Sequence, residues 1–110
     1  MANSKALTIR DRVSSDDGSN PTVGTGKAIG SRYANIEIYL GNADNTWSVT
    51  PLLVDTNEVS YLEGESTTID GANGQNQVYT LETNYTSDLN FRVDSSTGTS
   101  PEITIKAIRI

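Results

Sequence analysis

Eight short runs in which apolar and polar residues alternate constrain this chain more than anything else in it. A period of two sends successive side chains to opposite faces of an extended backbone, so each run reads as a strand with one buried face. The clearest covers residues 33–40, YANIEIYL. Ala34, Ile36, Ile38 and Leu40 share one side, and Tyr33, Asn35, Glu37 and Tyr39 share the other. No segment carries a helical apolar period, and turn residues recur about every ten positions, the spacing of sandwich folds. The 110 residues suit one domain, 1–110. The expected fold is all-β: a single-domain antiparallel β-sandwich, jelly-roll or Ig-like, of about eight strands.

The remaining runs refine this expectation. In residues 5–13, Leu7, Ile9 and Val13 oppose Thr8, Arg10 and Arg12, while Asp11 falls on the apolar side and suggests an edge or strand end. Trp47 and Val49 alternate after a polar turn, and Pro51 is expected to break that strand or place it at an edge. Tyr61, Tyr79 and Phe91 fall in phase with apolar neighbours and read as core. In the last run, Ile103 and Ile105 share one parity and Ile108 and Ile110 the other. That slip predicts a β-bulge near Lys106-Ala107, or a strand covered on both faces near its end.

Residues 14–32, SSDDGSNPTVGTGKAIGSR, interrupt the pattern. Only Val23 and Ile29 could anchor this segment, which is expected to be a long flexible loop or arm within the domain. Its glycines, Gly24, Gly26 and Gly30, are not followed by the helix that a phosphate-binding loop needs.

The chain has no histidine and no cysteine. Disulfides and thiolate metal sites are therefore excluded, and triads built on an imidazole base have no base. Three carboxylates, Glu37, Glu63 and Glu65, could in principle pair for glycoside hydrolysis, but a small sandwich offers little depth for such a cleft. The Asn and Asp residues at 42, 44 and 45, and at 70, 73 and 76, are oxygen-rich enough for calcium, yet lack EF-hand spacing and suit turns for local reasons. Asn84-Tyr85-Thr86 matches a glycosylation sequon by coincidence. No enzyme activity and no cofactor is expected.

Charge is unevenly placed. The net charge of −6 disfavours nucleic acid as a partner. No run is long and apolar enough for a membrane helix, and the opening MANSKALTIR lacks the apolar centre of a signal peptide. Residues 1–32 carry Lys5, Arg10, Arg12, Lys27 and Arg32 against Asp11, Asp16 and Asp17, a net +2. Residues 33–91 hold nine acidic residues and no Lys or Arg. A weakly basic beginning can dock on an acidic neighbour, including another copy of the chain. Arg10, Arg12, Lys27 and Arg32 are the candidate contacts. Tyr33 and Tyr39 could add an exposed aromatic stripe or be covered by the 14–32 segment. Trp47 is either core or an anchor for a partner or a sugar.

The MANSKALTIRDRV opening, the Gly/Ser-rich segment 14–32, the acidic middle and the terminal PEITIKAIRI together resemble the small capsid decoration (cement) proteins of tailed bacteriophages. That resemblance implies a non-enzymatic virion structural protein, commonly a trimer. Such a protein binds the major capsid protein on the capsid surface and bridges its subunits after synthesis in the host cytoplasm. The alternative is a carbohydrate- or cell-surface-binding β-sandwich module, with Trp47, Tyr33 and Tyr39 as its platform.

Overall fold

A computed structural model describes residues 6–40, 46–55, 57–70, 76–83, 88–95 and 102–110. Nine strands follow one another: β1 (Leu7–Val13), β2 (Lys27–Ala28), β3 (Tyr33–Leu40), β4 (Thr46–Val54), β5 (Tyr61–Glu63), β6 (Thr67–Asp70), β7 (Asn76–Glu82), β8 (Asp88–Ser95) and β9 (Ile103–Arg109). They form two antiparallel sheets, the β-sandwich expected from the alternation. The first sheet runs β1-β9-β3-β7 and the second β2-β8-β4-β5, with β6 also on β4. The ninth strand is β2, two residues inside the 14–32 segment.

The inward positions close a single core. Ala34, Ile36 and Ile38 of β3, with Ile103 and Ile105 of the adjacent β9, face Trp47 and Val49 of β4 and Phe91 and Val93 of β8, all 0–1% exposed. Each large side chain fully removed from water contributes roughly 1.5–3 kcal/mol. Among the described residues, two side-chain polar atoms are enclosed with no hydrogen bond of good geometry, the indole N–H of Trp47 and the Tyr79 hydroxyl.

Two expectations are corrected. The bulge lies in β1, not near Lys106. Ile103, Ile105 and Ala107 are all buried, so β9 keeps one phase, with Ala107 filling the inward place that a small residue disguised. The register of β1 on β9 instead shifts between Thr8 and Arg10 and again between Arg10 and Val13, and Arg12 takes a φ of 50°. These shifts carry Asp11 to the exposed side.

Pro51 neither breaks β4 nor lies on an edge. β4 passes through it as a central strand, paired with β8 on one side. On the other side β5 and β6 leave a gap between Glu63 and Thr67, opposite Pro51. The Pro51 carbonyl accepts from the Gly64 amide at 2.9 Å. A strand residue's nitrogen and carbonyl point the same way, so the missing N–H faces that gap and no ladder bond is lost.

Of the two alternatives left open for Tyr33 and Tyr39, exposure is the one observed. Residues 18–25 lie across the outer face of the second sheet, Asp16, Lys27 and Ala28 run along the edge of β8, and only Arg32 reaches Tyr33. The Asp16 amide donates to the Val93 carbonyl at 2.7 Å, β2 pairs with β8, and Ile29 is 2% exposed. Gly26 sits so close to β8 that a Cβ there would lie 2.6 Å from the Leu89 carbonyl oxygen.

Candidate functional site

The two outer faces of the sandwich differ. On the second sheet, Thr50, Leu52 and Asn90 lie outward by strand parity yet are 0–2% exposed. The 14–32 segment covers Asn90, while the Thr50 hydroxyl meets that of Ser66 at 2.6 Å. Arg92 donates to Asn20 Oδ1 and to Glu63 Oε1, both at 2.7 Å. Tyr61 donates to the Thr22 carbonyl at 3.0 Å, and Asn90 Nδ2 donates to Thr25 Oγ1 at 3.0 Å. Gly18 N donates to Asp94 Oδ1 at 2.7 Å. The Glu63 carboxylate, followed by that of Asp94, holds the Arg92 guanidinium above its ordinary pKa against the opposing effect of burial.

Arg10 locks the same cover in place. The β1 bulge puts it opposite Ile105, on the inner side of the strand, so its guanidinium crosses from the first sheet to the second. It donates to both Asp16 oxygens at 3.0 Å and to the Phe91 carbonyl at 2.6 Å, with 14% of its side chain exposed. Asp16 in turn accepts from the Val93 amide at 2.8 Å.

The outer face of the first sheet has no such cover among the described residues. Strand pairing lays its side chains in rows. Lys106, Glu37 and Val78 form one, and Ile108, Asn35 and Thr80 the next. Tyr33 lies beside Glu82 at one end, and Tyr39 beside Thr104 at the other. Tyr33 and Tyr39 are each 40% exposed and Val78 is 61% exposed.

The charges on this face are matched locally. Arg32 bonds Glu82 at 2.9 Å and stacks 5.3 Å from the Tyr33 ring centre. Lys106 stands 5.6 Å over the Tyr39 ring, and the Tyr39 hydroxyl donates to Glu37 at 3.0 Å. That bond, then partial burial, raises the Tyr39 pKa. Arg12 bonds Glu102 at 2.9 Å along the same side of β1 and β9, which raises its pKa too.

Of the residues singled out by sequence, Arg12, Arg32, Tyr33 and Tyr39 come together on this bare face. Three do not. Trp47 is 0% exposed in the core, so it cannot present its ring to a partner. Arg10 is spent on the internal tie described above. Lys27 is exposed, but on β2 at the edge of the other sheet. Lys106, Val78 and Ile108 join the face unforeseen. Reading Ala107 as an inward residue would have turned Lys106 and Ile108 outward, and Val78 alternates with Tyr79.

Little else gathers chemistry. A surface cavity of about 330 Å³ is lined by Thr46, Trp47, Ser48, Thr68, Asp94 and Ser95, and its carboxylate is the one held by Gly18 and Arg92. Among the described residues no three His, Cys, Asp or Glu side chains are placed to hold a metal. No described helix is long and apolar enough to cross a membrane. Positions 42, 44, 45 and 73, and the sequon at Asn84, lie outside the described residues, as do the side chains at 76 and 77. No family model, no curated protein and no solved structure matches this chain.

Proposed function

We propose that this chain is a non-enzymatic structural protein that docks through the bare face of its first sheet. In its specific form the proposal is a capsid decoration protein, binding the major capsid protein on the outside of a virion and bridging its subunits. The chain would be made in the host cytoplasm and reside on the capsid surface. The supporting observation is the asymmetry of the outer faces: loop residues 18–26 cover one, and no loop among the described residues covers the other.

The bare face suits protein contact. Exposed tyrosines bring large contact area with few rotatable bonds. Arg12, Arg32 and Lys106 balance Glu37, Glu82 and Glu102 there, while the chain as a whole carries −6. A partner meeting this face therefore encounters the least repulsive part of an acidic molecule. Individual contacts of modest strength, repeated over one particle, give firm attachment by avidity. Neither nucleic acid nor membrane belongs to the proposed contact. A sugar platform is less favoured, because Trp47 is enclosed and Tyr33 and Tyr39 stand about 20 Å apart along one strand.

The test is co-sedimentation with empty shells assembled from the proposed partner, a tailed-bacteriophage major capsid protein. Saturable binding at a fixed copy number per shell is expected, with at least a tenfold loss for the Tyr33→Ser, Tyr39→Ser variant. Absence of co-sedimentation at micromolar concentrations overturns the capsid reading.

A further inference from the structure

Among the described residues, four of the five strand edges are blunted and one is not. β1 is bulged twice and carries Arg12 at positive φ. β2, β5 and β6 are two, three and four residues long. Short strands, bulges and charges are the usual means of preventing sheets from meeting edge to edge. β7 has none of them. Its seven residues pair with β3 without a register shift, and its only charge is Glu82 at the end.

The groups that β7 leaves free can be identified. The Ile110 amide donates to the Tyr33 carbonyl, so odd-numbered residues of β3 point their backbone groups toward β9. The Thr83 amide donates to the Arg32 carbonyl, so the even-numbered residues of β3 point toward β7. They meet Gln77, Tyr79 and Leu81. The amides and carbonyls of Asn76, Val78, Thr80 and Glu82 therefore face outward, and no further strand among the described residues takes them.

We infer that β7 pairs antiparallel with β7 of a second copy, about a two-fold axis through Tyr79. Directly opposed residues of an antiparallel pair share a face, which allows only registers centred on a residue. Centring on Tyr79 uses the whole strand. Val78 then meets Thr80 of the other copy and Glu82 meets Asn76, with two backbone hydrogen bonds at each pair and no like charges opposed. Glu82 of each copy is already paired with its own Arg32, so the seam brings no unpaired charges together in a chain of net charge −6.

The same axis keeps both bare faces on one side. Four strands of about seven residues present about 450 Å², short of the roughly 800 Å² per partner of a standard interface. A pair presents about twice as much. The pairing rests on the edge itself, so it survives failure of the shell reading, and it replaces the expected trimer with an even-numbered assembly.

Light scattering of the full chain tests this. The expected mass is twice the 11.8 kDa of one chain. Val78→Lys with Thr80→Lys opposes like charges across the seam and is expected to give monomer, as is Val78→Glu with Thr80→Glu. Both positions are exposed, and an unchanged circular dichroism spectrum confirms folding. Mixing the lysine and glutamate variants is expected to restore the dimer. The cysteine-free background allows a register check: Val78→Cys mixed with Thr80→Cys is expected to cross-link mainly as the mixed pair under mild oxidation. A wild-type monomer at 200 μM, a trimer, or a dimer indifferent to the lysines would overturn the inference.

Discussion

The outer faces of the two sheets begin alike and end differently. Both alternate along their strands, and both carry an arginine beside a carboxylate. On the second sheet those groups turn inward to a loop: Arg92 holds Asn20 and Glu63, and Asn90 holds Thr25. On the first sheet they hold only one another at the surface, as Arg32 does Glu82. The difference shows how a small sandwich divides its work. One face is closed by the chain's own backbone and contributes to stability. The other is left as a flat, neutral, tyrosine-bearing surface whose contribution to stability is slight.

Breaking the tie on the covered face gives the largest expected effect. Arg10→Ala leaves the Asp16 carboxylate and the Phe91 carbonyl without their partner in a largely enclosed site. A loss of about 3 kcal/mol is expected, seen as a fall in melting temperature on the order of 15 °C. Next comes Gly26→Ala, whose added carbon would lie 2.6 Å from the Leu89 oxygen and must lift the loop from β8. A cost of about 2 kcal/mol is expected, with faster amide exchange along residues 14–32. A melting temperature unchanged by either substitution would show that the covered face is not held as described.

Between the faces lies Tyr79, whose hydroxyl is enclosed beside that of Thr67 without a hydrogen bond of good geometry. Burial pushes its pKa up to about 12, and the neighbouring Thr67 hydroxyl pulls weakly the other way. The folded pKa lies above the unfolded value, so this contribution is intact below pH 10 and is lost as pH rises toward 12. Tyr79→Phe removes that alkaline limb from a pH series of unfolding curves. At neutral pH it changes stability by no more than about 1 kcal/mol, in the stabilising direction if the cavity stays filled.

The smallest effect on stability belongs to the bare face. Tyr33→Ser and Tyr39→Ser are each expected to cost about 0.5 kcal/mol or less in chemical denaturation, while weakening docking tenfold or more together. A large stability loss there would erase the contrast between the faces.

Much of the fold was legible because strand alternation is a local property. β3, β8 and the inward residues Ile36, Ile38, Phe91 and Val93 follow from parity alone. The site was legible only in part. Tyr33, Tyr39 and Arg32 could be placed together because they belong to or adjoin one strand. Trp47 stayed ambiguous because an in-phase aromatic is compatible with either face of a sheet until its neighbours are known. Lys106 was obscured by Ala107, too small to mark an inward position by hydrophobicity.

The sequence by itself determined that this is an all-β sandwich, with its strands, many of its inward residues and its lack of histidine and cysteine. Those properties depend on side-chain type and a period of two. Only the tertiary structure decided that Pro51 sits in a central strand, that the bulge belongs to β1, and that residues 14–32 close the second sheet and leave the first one bare. Each depends on which distant segment lies alongside: the gap between β5 and β6, the register of β1 on β9, and Asp16 meeting Arg10 and β8. Such pairings are set by long-range packing, which a local pattern does not carry.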